Sequence, residues 1–385
     1  MTSSKDLSHG SNSFWVRLPS HNSMSTIQAL HDSHWRGVFH ITGGGASLLS
    51  ELLAVPGASR TLLDASIPYA GQALTDLLGT PPEQAASQAT ARALAMAAYQ
   101  RAVGFGGTDH FGFGCTASLV TDRTKRGQTR AHWAIQTIGA TQDFYLELDA
   151  TKTRDEQEAG LRQALTASLG VVLLGNDNTG LQSNICKAAP DWQPLLGSTP
   201  YRWCSGQSDG SLILPGSFNP VHEGHYQMLQ TAEEITGKTG AFELTLRNAD
   251  KPDLDYLSVQ ERLVKMTDRH IWLTNQANFS AKAELFPGAT FVLGTDTMVR
   301  IGELRFYEDN PDKLAAAITR LATLDISFLV LGRADGDRFV SLDDIKLPSS
   351  LRALCQGVPE SVYRNDISST RIRAGQQINR PDSQE

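Results

Sequence analysis

His222 and His225 stand three residues apart, directly after the turn Gly216-Ser217-Phe218-Asn219-Pro220 and the apolar run "SLIL" at 211–214. The order reads as strand, glycine turn, helix start. Three chemistries could use two imidazoles placed so. A phosphate is the first. A helix N-terminus offers free N–H groups and the positive end of its dipole. Gly216 lets the backbone approach an anion, and Ser217 adds a hydroxyl donor. Residues at i and i+3 share one side of a helix, so both histidines can donate to phosphate oxygens. A zinc ion is the second, but it needs two further ligands at suitable spacing, and Glu223 points elsewhere if both histidines face the site. The third is a pair of hydrogen-bonded core histidines with no ligand.

The elements that must position this turn follow from the rest of the chain. With 385 residues, the chain is longer than one core usually serves, so two domains are expected. Hydrophobic residues are 40%, charged residues 19% and glycines number 33, a globular α/β composition. A net charge of -7 argues against a dedicated nucleic-acid binder. Cys115, Cys186, Cys204 and Cys355 are scattered, with no C-x-x-C, which fits reduced thiols in a cytoplasmic protein. No apolar window has the length of a membrane span, and the polar, Ser-rich start has no signal-peptide pattern, so no membrane is expected.

Residues 1–33 read as a flexible lead-in. "GVFHITGGGASLLSELLAV" reads as strand, glycine turn and helix; 81–103 reads as an Ala-rich helix; "RAHWAIQTI" and "QDFYLELDA" read as strands, and 153–170 as helix. These make a first domain over 34–174. Residues 175–210 are rich in Gly, Pro, Ser, Asn and Asp and read as a linker. From 211 to 376, apolar runs alternate with helical stretches, which predicts a Rossmann-like parallel sheet with helices on both faces. Residues 377–385 read as a tail.

"GSFNPVHEGH" resembles the H-x-G-H signature of the nucleotidyltransferase superfamily, here His222-Glu223-Gly224-His225. "ISSTRIRAG" (367–375) is similar to the I-S-S-T-x-I-R motif of the adenylyltransferase branch, and "VLGTDTM" (292–298) to the family's G-x-D segment. The resemblance implies adenylyl transfer: an acceptor phosphate attacks the α-phosphate of ATP and pyrophosphate leaves, with positioning and charge neutralisation carrying the reaction. It implies catalytic roles for His222, His225 and Arg373. ATP would meet Gly216, Ser217, Phe218, Gly224, Gly294, Asp296, Ser368, Ser369 and Thr370. Mg²⁺ would come with the ATP phosphates, and no protein-held metal is expected. Asn219-Pro220 resembles the nicotinamide mononucleotide adenylyltransferases, so that mononucleotide or its nicotinate form is the expected acceptor, with phosphopantetheine as the alternative. Arg262 would face the acceptor. Trp272 would stack on its pyridine ring, or belong to the core.

The first domain resembles the CinA-type, nicotinamide mononucleotide deamidase family. Thr42, Gly43, Gly44, Pro56, Gly57, Ser59 and Tyr69 fit its pattern, and Thr42, Gly43, Gly44, Ser59 and Tyr69 would line its pocket. His40 stands where the family has serine, and Leu74 where it has lysine. A serine attacking an amide needs a base, so this domain is expected to be inactive as an amidase. The remaining rival is a non-catalytic nicotinamide-nucleotide sensor. The expected partners are ATP and a small phosphorylated acceptor, and a homo-oligomer is left open.

Overall fold

The computed structural model describes residues 23–122, 127–177, 180–247, 253–266, 268–335 and 338–365. The chain forms two α/β domains. The first is built on a six-stranded sheet of β1 (Arg36–Thr42), β2 (Leu62–Ser66), β3 (His110–Ser118), β4 (Arg130–Thr137), β5 (Ala140–Glu147) and β6 (Gln182–Lys187), in the order β2-β1-β3-β4-β5-β6. β2, β1 and β3 are parallel, and the pairings from β3 to β6 are antiparallel. Side chains alternate along β1. Phe39 and Ile41 join the core made with α1 (Ser23–His31), α2 (Ser47–Ala54) and α5 (Arg154–Leu174). Val38 faces the other way, onto Ala98 and Ala102 of α4 (Gln88–Gly104). α3 (Gly71–Leu78) packs on α4 through Leu74, Leu78 and Leu94.

The Ala-rich composition of α4 has a packing reason. It lies so close to β3 that a Cβ on Gly112 would sit 2.1 Å from Ala95 O and Tyr99 N, and one on Gly114 would sit 2.3 Å from Ala95 N. Small residues on both sides allow that approach. The helix begins at Gln88, later than the 81–103 expectation, because Ser87 caps it by accepting from Thr90 N at 3.2 Å.

The second sheet contains β7 (Arg202–Cys204), β8 (Leu212–Pro215), β9 (Ala241–Thr245), β10 (Ile271–Thr274), β11 (Thr290–Gly294), β12 (Ser327–Leu331) and β15 (Cys355–Val358). A small hairpin, β13 (Arg333–Asp335) and β14 (Arg338–Val340), stands apart from it. The order is β15-β12-β11-β8-β9-β10-β7, parallel except for β7. α6 (Glu223–Thr236) and α7 (Tyr256–Leu263) pack on one face; α8 (Phe279–Leu285), α9 (Thr295–Ile301), α10 (Pro311–Thr323) and the short α11 (Ser349–Arg352) pack on the other. The chain runs outward from β8 in one direction and from β11 in the other. Between those strands lies the topological switch point, where open α/β sheets form their ligand crevice.

Two boundary expectations need correction. Within the expected lead-in, Ser23–His31 is a helix whose Ile27 and Leu30 are fully buried against α5. The stretch 175–210 is not a free linker. Gln182–Lys187 extends the first sheet beside β5, and Arg202–Cys204 extends the second beside β10. Both are short edge strands. Among the described residues no helix is long and apolar enough to cross a membrane, and the four cysteines are free.

Candidate nucleotide site and the N-terminal pocket

β8 ends at Pro215, and Gly216 N donates to Glu243 O at 3.0 Å, which ties the turn to β9. A side chain on Gly216 would meet the Phe218 ring at 2.7 Å. Phe218, at φ 44, is 2% exposed and packs against His225 and Phe242 with ring centroids 5.1 and 5.0 Å away. Its ring is thus the floor of the turn, not a surface for ATP. Ser217 is exposed, and its carbonyl accepts from Arg262 Nε at 3.0 Å.

His222 is the N-cap of α6. Its backbone N–H donates to His225 Nδ1 at 3.2 Å, and the two rings stack with centroids 3.8 Å apart. Because Nδ1 of His225 accepts, its proton sits on Nε2. Burial lowers the His225 pKa to about 4, and the neighbouring His222 adds to the effect. Burial also lowers that of His222, whose Nδ1 is buried without a partner. The pair is therefore neutral near pH 7 and can donate without carrying charge. Gly224 is needed here too: a Cβ would lie 3.1 Å from the His222 ring and 3.2 Å from Asn365 Oδ1. Tyr363 Oη donates to Gly224 O at 3.3 Å, and Asn365 Nδ2 to Gln227 Oε1 at 2.6 Å. The chain just before the Ile367–Gly375 motif thus lies against the start of α6. Ser368, Ser369, Thr370 and Arg373 themselves lie outside the described residues.

Across the crevice, Gly294 ends β11 and caps α9, with open space where a side chain would be. Asp296 is exposed and ion-paired with Arg333. Arg262 sits on α7, with Nη1 donating to Ser258 O at 2.5 Å; burial lowers its pKa, and Asp255 and Glu261 oppose that shift. Trp272 is in the core reading. It is 7% exposed, edge-on to Phe286, with Arg202 over its ring at 4.7 Å. An acceptor has no free face of this ring to stack on. Among the described residues no group of three or more His, Cys, Asp and Glu could hold a metal ion.

Residues 213–375 match the cytidylyltransferase-like family model. That match supports nucleotidyl transfer in general for the C-terminal domain, and its span contains both histidines of the turn and the Ile367–Gly375 motif. Solved structures similar to this chain are competence/damage-inducible proteins, and their likeness covers the N-terminal part. They include the protein CihA from Agrobacterium tumefaciens (16% identity, 39% of this chain, 92% of that chain, TM-score 0.32). A CinA superfamily protein from Escherichia coli matches similarly (17%, 39%, 88%, 0.33), as does ComA from Klebsiella pneumoniae (15%, 41%, 100%, 0.32). No curated protein matches the chain.

Beside the cytidylyltransferase-like domain, the first domain holds a cavity of ≈ 390 Å³ lined in part by Thr42, Gly43, Gly44, Tyr69, Arg154 and Glu158. Four of the five residues expected there are present. Ser59 is not: it is exposed on the single turn Ala58–Arg60, outside the cavity lining. Sequence reading missed Arg154 and Glu158, which come from the first turns of α5. Arg154 donates to Gly43 O at 3.3 Å and reaches Tyr69 Oη at 3.5 Å. Glu158 accepts from Gly45 N at 2.8 Å and Ser47 N at 3.1 Å, so a carboxylate of the chain itself fills the anion-binding end of α2. His40 is 1% exposed on the opposite sheet face, the one Val38 shares, and is joined to Ser66 Oγ through Nδ1 at 2.7 Å. Leu74 is core.

Burial lowers the pKa values of His40, His132 and His225 to about 4. Each folded value lies below the unfolded one, so unfolding takes up protons between pH 4 and about 6.5. Stability from these groups is complete above about pH 6.5 and falls as the pH drops toward 4. The urea midpoint should be clearly lower at about pH 5 than at about pH 7.5, with an unchanged m-value. Equal midpoints would mean that these histidines are hydrated.

Proposed function

We propose that the C-terminal domain is an adenylyltransferase that moves AMP from ATP to a phosphorylated acceptor, nicotinamide or nicotinate mononucleotide, and releases pyrophosphate. The observation that carries this reading is the stacked, neutral histidine pair at the mouth of the β8–α6 turn, beside the switch point. The acceptor phosphate oxygen attacks the α-phosphorus, and the bond to the bridging oxygen of pyrophosphate breaks. Negative charge moves to that leaving group. His225 Nε2–H and the His222 imidazole donate to phosphate oxygens as it does so, in a site that excludes part of the water. Mg²⁺ enters with ATP as part of the substrate. Ser368, Ser369, Thr370 and Arg373 supply hydroxyls and one cation to the outer phosphates. Arg262, already anchored to the turn through Ser217 O, binds the acceptor phosphate. Gly294 leaves room for the adenosine.

Pyrophosphate release from Mg-ATP, measured across a panel of phosphorylated acceptors, tests this reading. Turnover with nicotinamide or nicotinate mononucleotide supports it, and turnover only with phosphopantetheine reassigns the acceptor. No release with any acceptor leaves the non-catalytic sensor as the better reading.

The first domain is expected to release no ammonia from nicotinamide mononucleotide. Ser59 lies outside the cavity, His40 is held by Ser66 on the other face, and no base stands where Leu74 does. A glutamate dehydrogenase-coupled assay on the full chain checks this. Ammonia that disappears in Ser59→Ala would overturn it.

A further inference from the structure

We propose that Arg92, in the first domain, is a positioning residue of the nucleotide site in the second. The link runs through α7. The Arg92 guanidinium is almost buried between the domains. Its Nη1 donates to Asp143 Oδ2 of β5 at 3.1 Å and to Glu261 Oε1 of α7 at 2.9 Å; Nη2 donates to Glu261 Oε2 at 3.2 Å. Nε lies 3.6 Å from Asp255, the N-cap of α7. One arginine of the first domain therefore grips both ends of this two-turn helix. The fork geometry matters, because a guanidinium can address two carboxylates along fixed directions and an ammonium cannot.

The grip continues into the site. The residue after Glu261 is Arg262, whose Nε holds Ser217 O of the histidine turn at 3.0 Å. α7 is fixed to the first domain by two more bonds: Tyr256 N donates to Thr141 Oγ1 at 3.0 Å, and Tyr256 Oη to Ile138 O at 2.9 Å. The orientation of α7, and with it the reach of Arg262, is thus set from outside the cytidylyltransferase-like domain. A helix of eight residues has little rigidity of its own. The first domain then serves the second site as a bracket, whatever its own cavity binds. What the turn does chemically rests on the adenylyl-transfer reading; the mechanical link does not.

The test uses the full chain and Glu261, which is half-exposed and has Arg92 as its ion-pair partner, so the fold should tolerate its replacement. Glu261→Ala removes the grip on the last turn of α7, and Glu261→Gln keeps an oxygen acceptor for the guanidinium. Amide hydrogen exchange of the unliganded protein is followed in peptides covering 256–263 and 214–222. In Glu261→Ala both should exchange about tenfold faster, with strand 36–42 unchanged, and Glu261→Gln should restore most of the protection. Faster exchange in 256–263 alone, or in neither peptide, overturns the proposal. The kinetic readout is the KM for the acceptor, which should rise about tenfold in Glu261→Ala with kcat much less affected, since small displacements of positioning groups are costly. If the wild type turns over no acceptor, the adenylyl-transfer reading fails, and the exchange data still decide the role of Arg92.

Discussion

Replacing His225 with alanine should lower kcat by about 10²–10³-fold, the cost of removing one preorganised donor from a developing negative charge. The tautomer makes this effect specific. His225 Nδ1 is occupied as the acceptor of the His222 N–H, so the only proton the ring can offer is on Nε2. Alanine removes that donor. It also removes the ring on which His222 stacks at 3.8 Å, so the second imidazole loses its orientation. The fold should survive, because position 225 is in the first turn of α6 and alanine is a good helix former. The lost acceptor for His222 N costs about 1 kcal/mol, as for a helix cap. His225→Gln should recover part of the rate, because its amide N–H₂ can donate. Burial lowers the His225 pKa to about 4, so this group should give the rate no acidic limb near pH 6.5. A ten-fold loss or less would mean that the ring serves packing against Phe218. Stoichiometric zinc, lost in the mutant, would revive the metal reading.

The turn at 216–225 was legible because it depends on local chemistry. A glycine next to a buried aromatic, an N-cap and an i, i+3 pair are all set within ten residues. The alternation of β8 to β12 with helices was legible for the same reason, since periodicity and turn residues are local signals. Other features depend on distant partners. Trp272 could be a stacking ring or core until Phe286 and Arg202 were seen against it. The stretch 175–210 resembles a linker because edge strands of a few residues leave almost no pattern. Glu158 resembles one more surface charge of α5, and only the fold brings it to Gly45 and Ser47. Arg92 is the strongest case. An arginine in an Ala-rich helix reads as solvated, and the three carboxylates around this one come from β5 and α7, far along the chain.

That arginine leads to the second large effect. Arg92→Met should destabilise the full chain by about 3–5 kcal/mol, because it leaves buried carboxylates without their cation. Burial opposes the charge on Arg92, but Asp255, Glu261 and Asp143 together raise its pKa above the ordinary arginine value. The charged cluster is therefore mutually dependent. Methionine fills much of the volume, so a cavity contributes little to the loss. The cost comes from Asp143, which is fully buried, and Asp255, which is 5% exposed; Glu261 is half in solvent and can rehydrate. Among the described residues, the side-chain bond left to Asp143 would be the one from Asn184 Nδ2, at 2.9 Å to Oδ1. Removing its charge as well should therefore help: Arg92→Met with Asp143→Asn should regain about half of the lost stability, a coupling that independent sites would not show. Urea unfolding of the three variants measures it. Since Arg92 bridges the domains, the single mutant should also show two transitions where the wild type shows one, with the second domain loosened from the first. A loss below about 1 kcal/mol, of the size expected for an exposed ion pair, would mean that water reaches this seam.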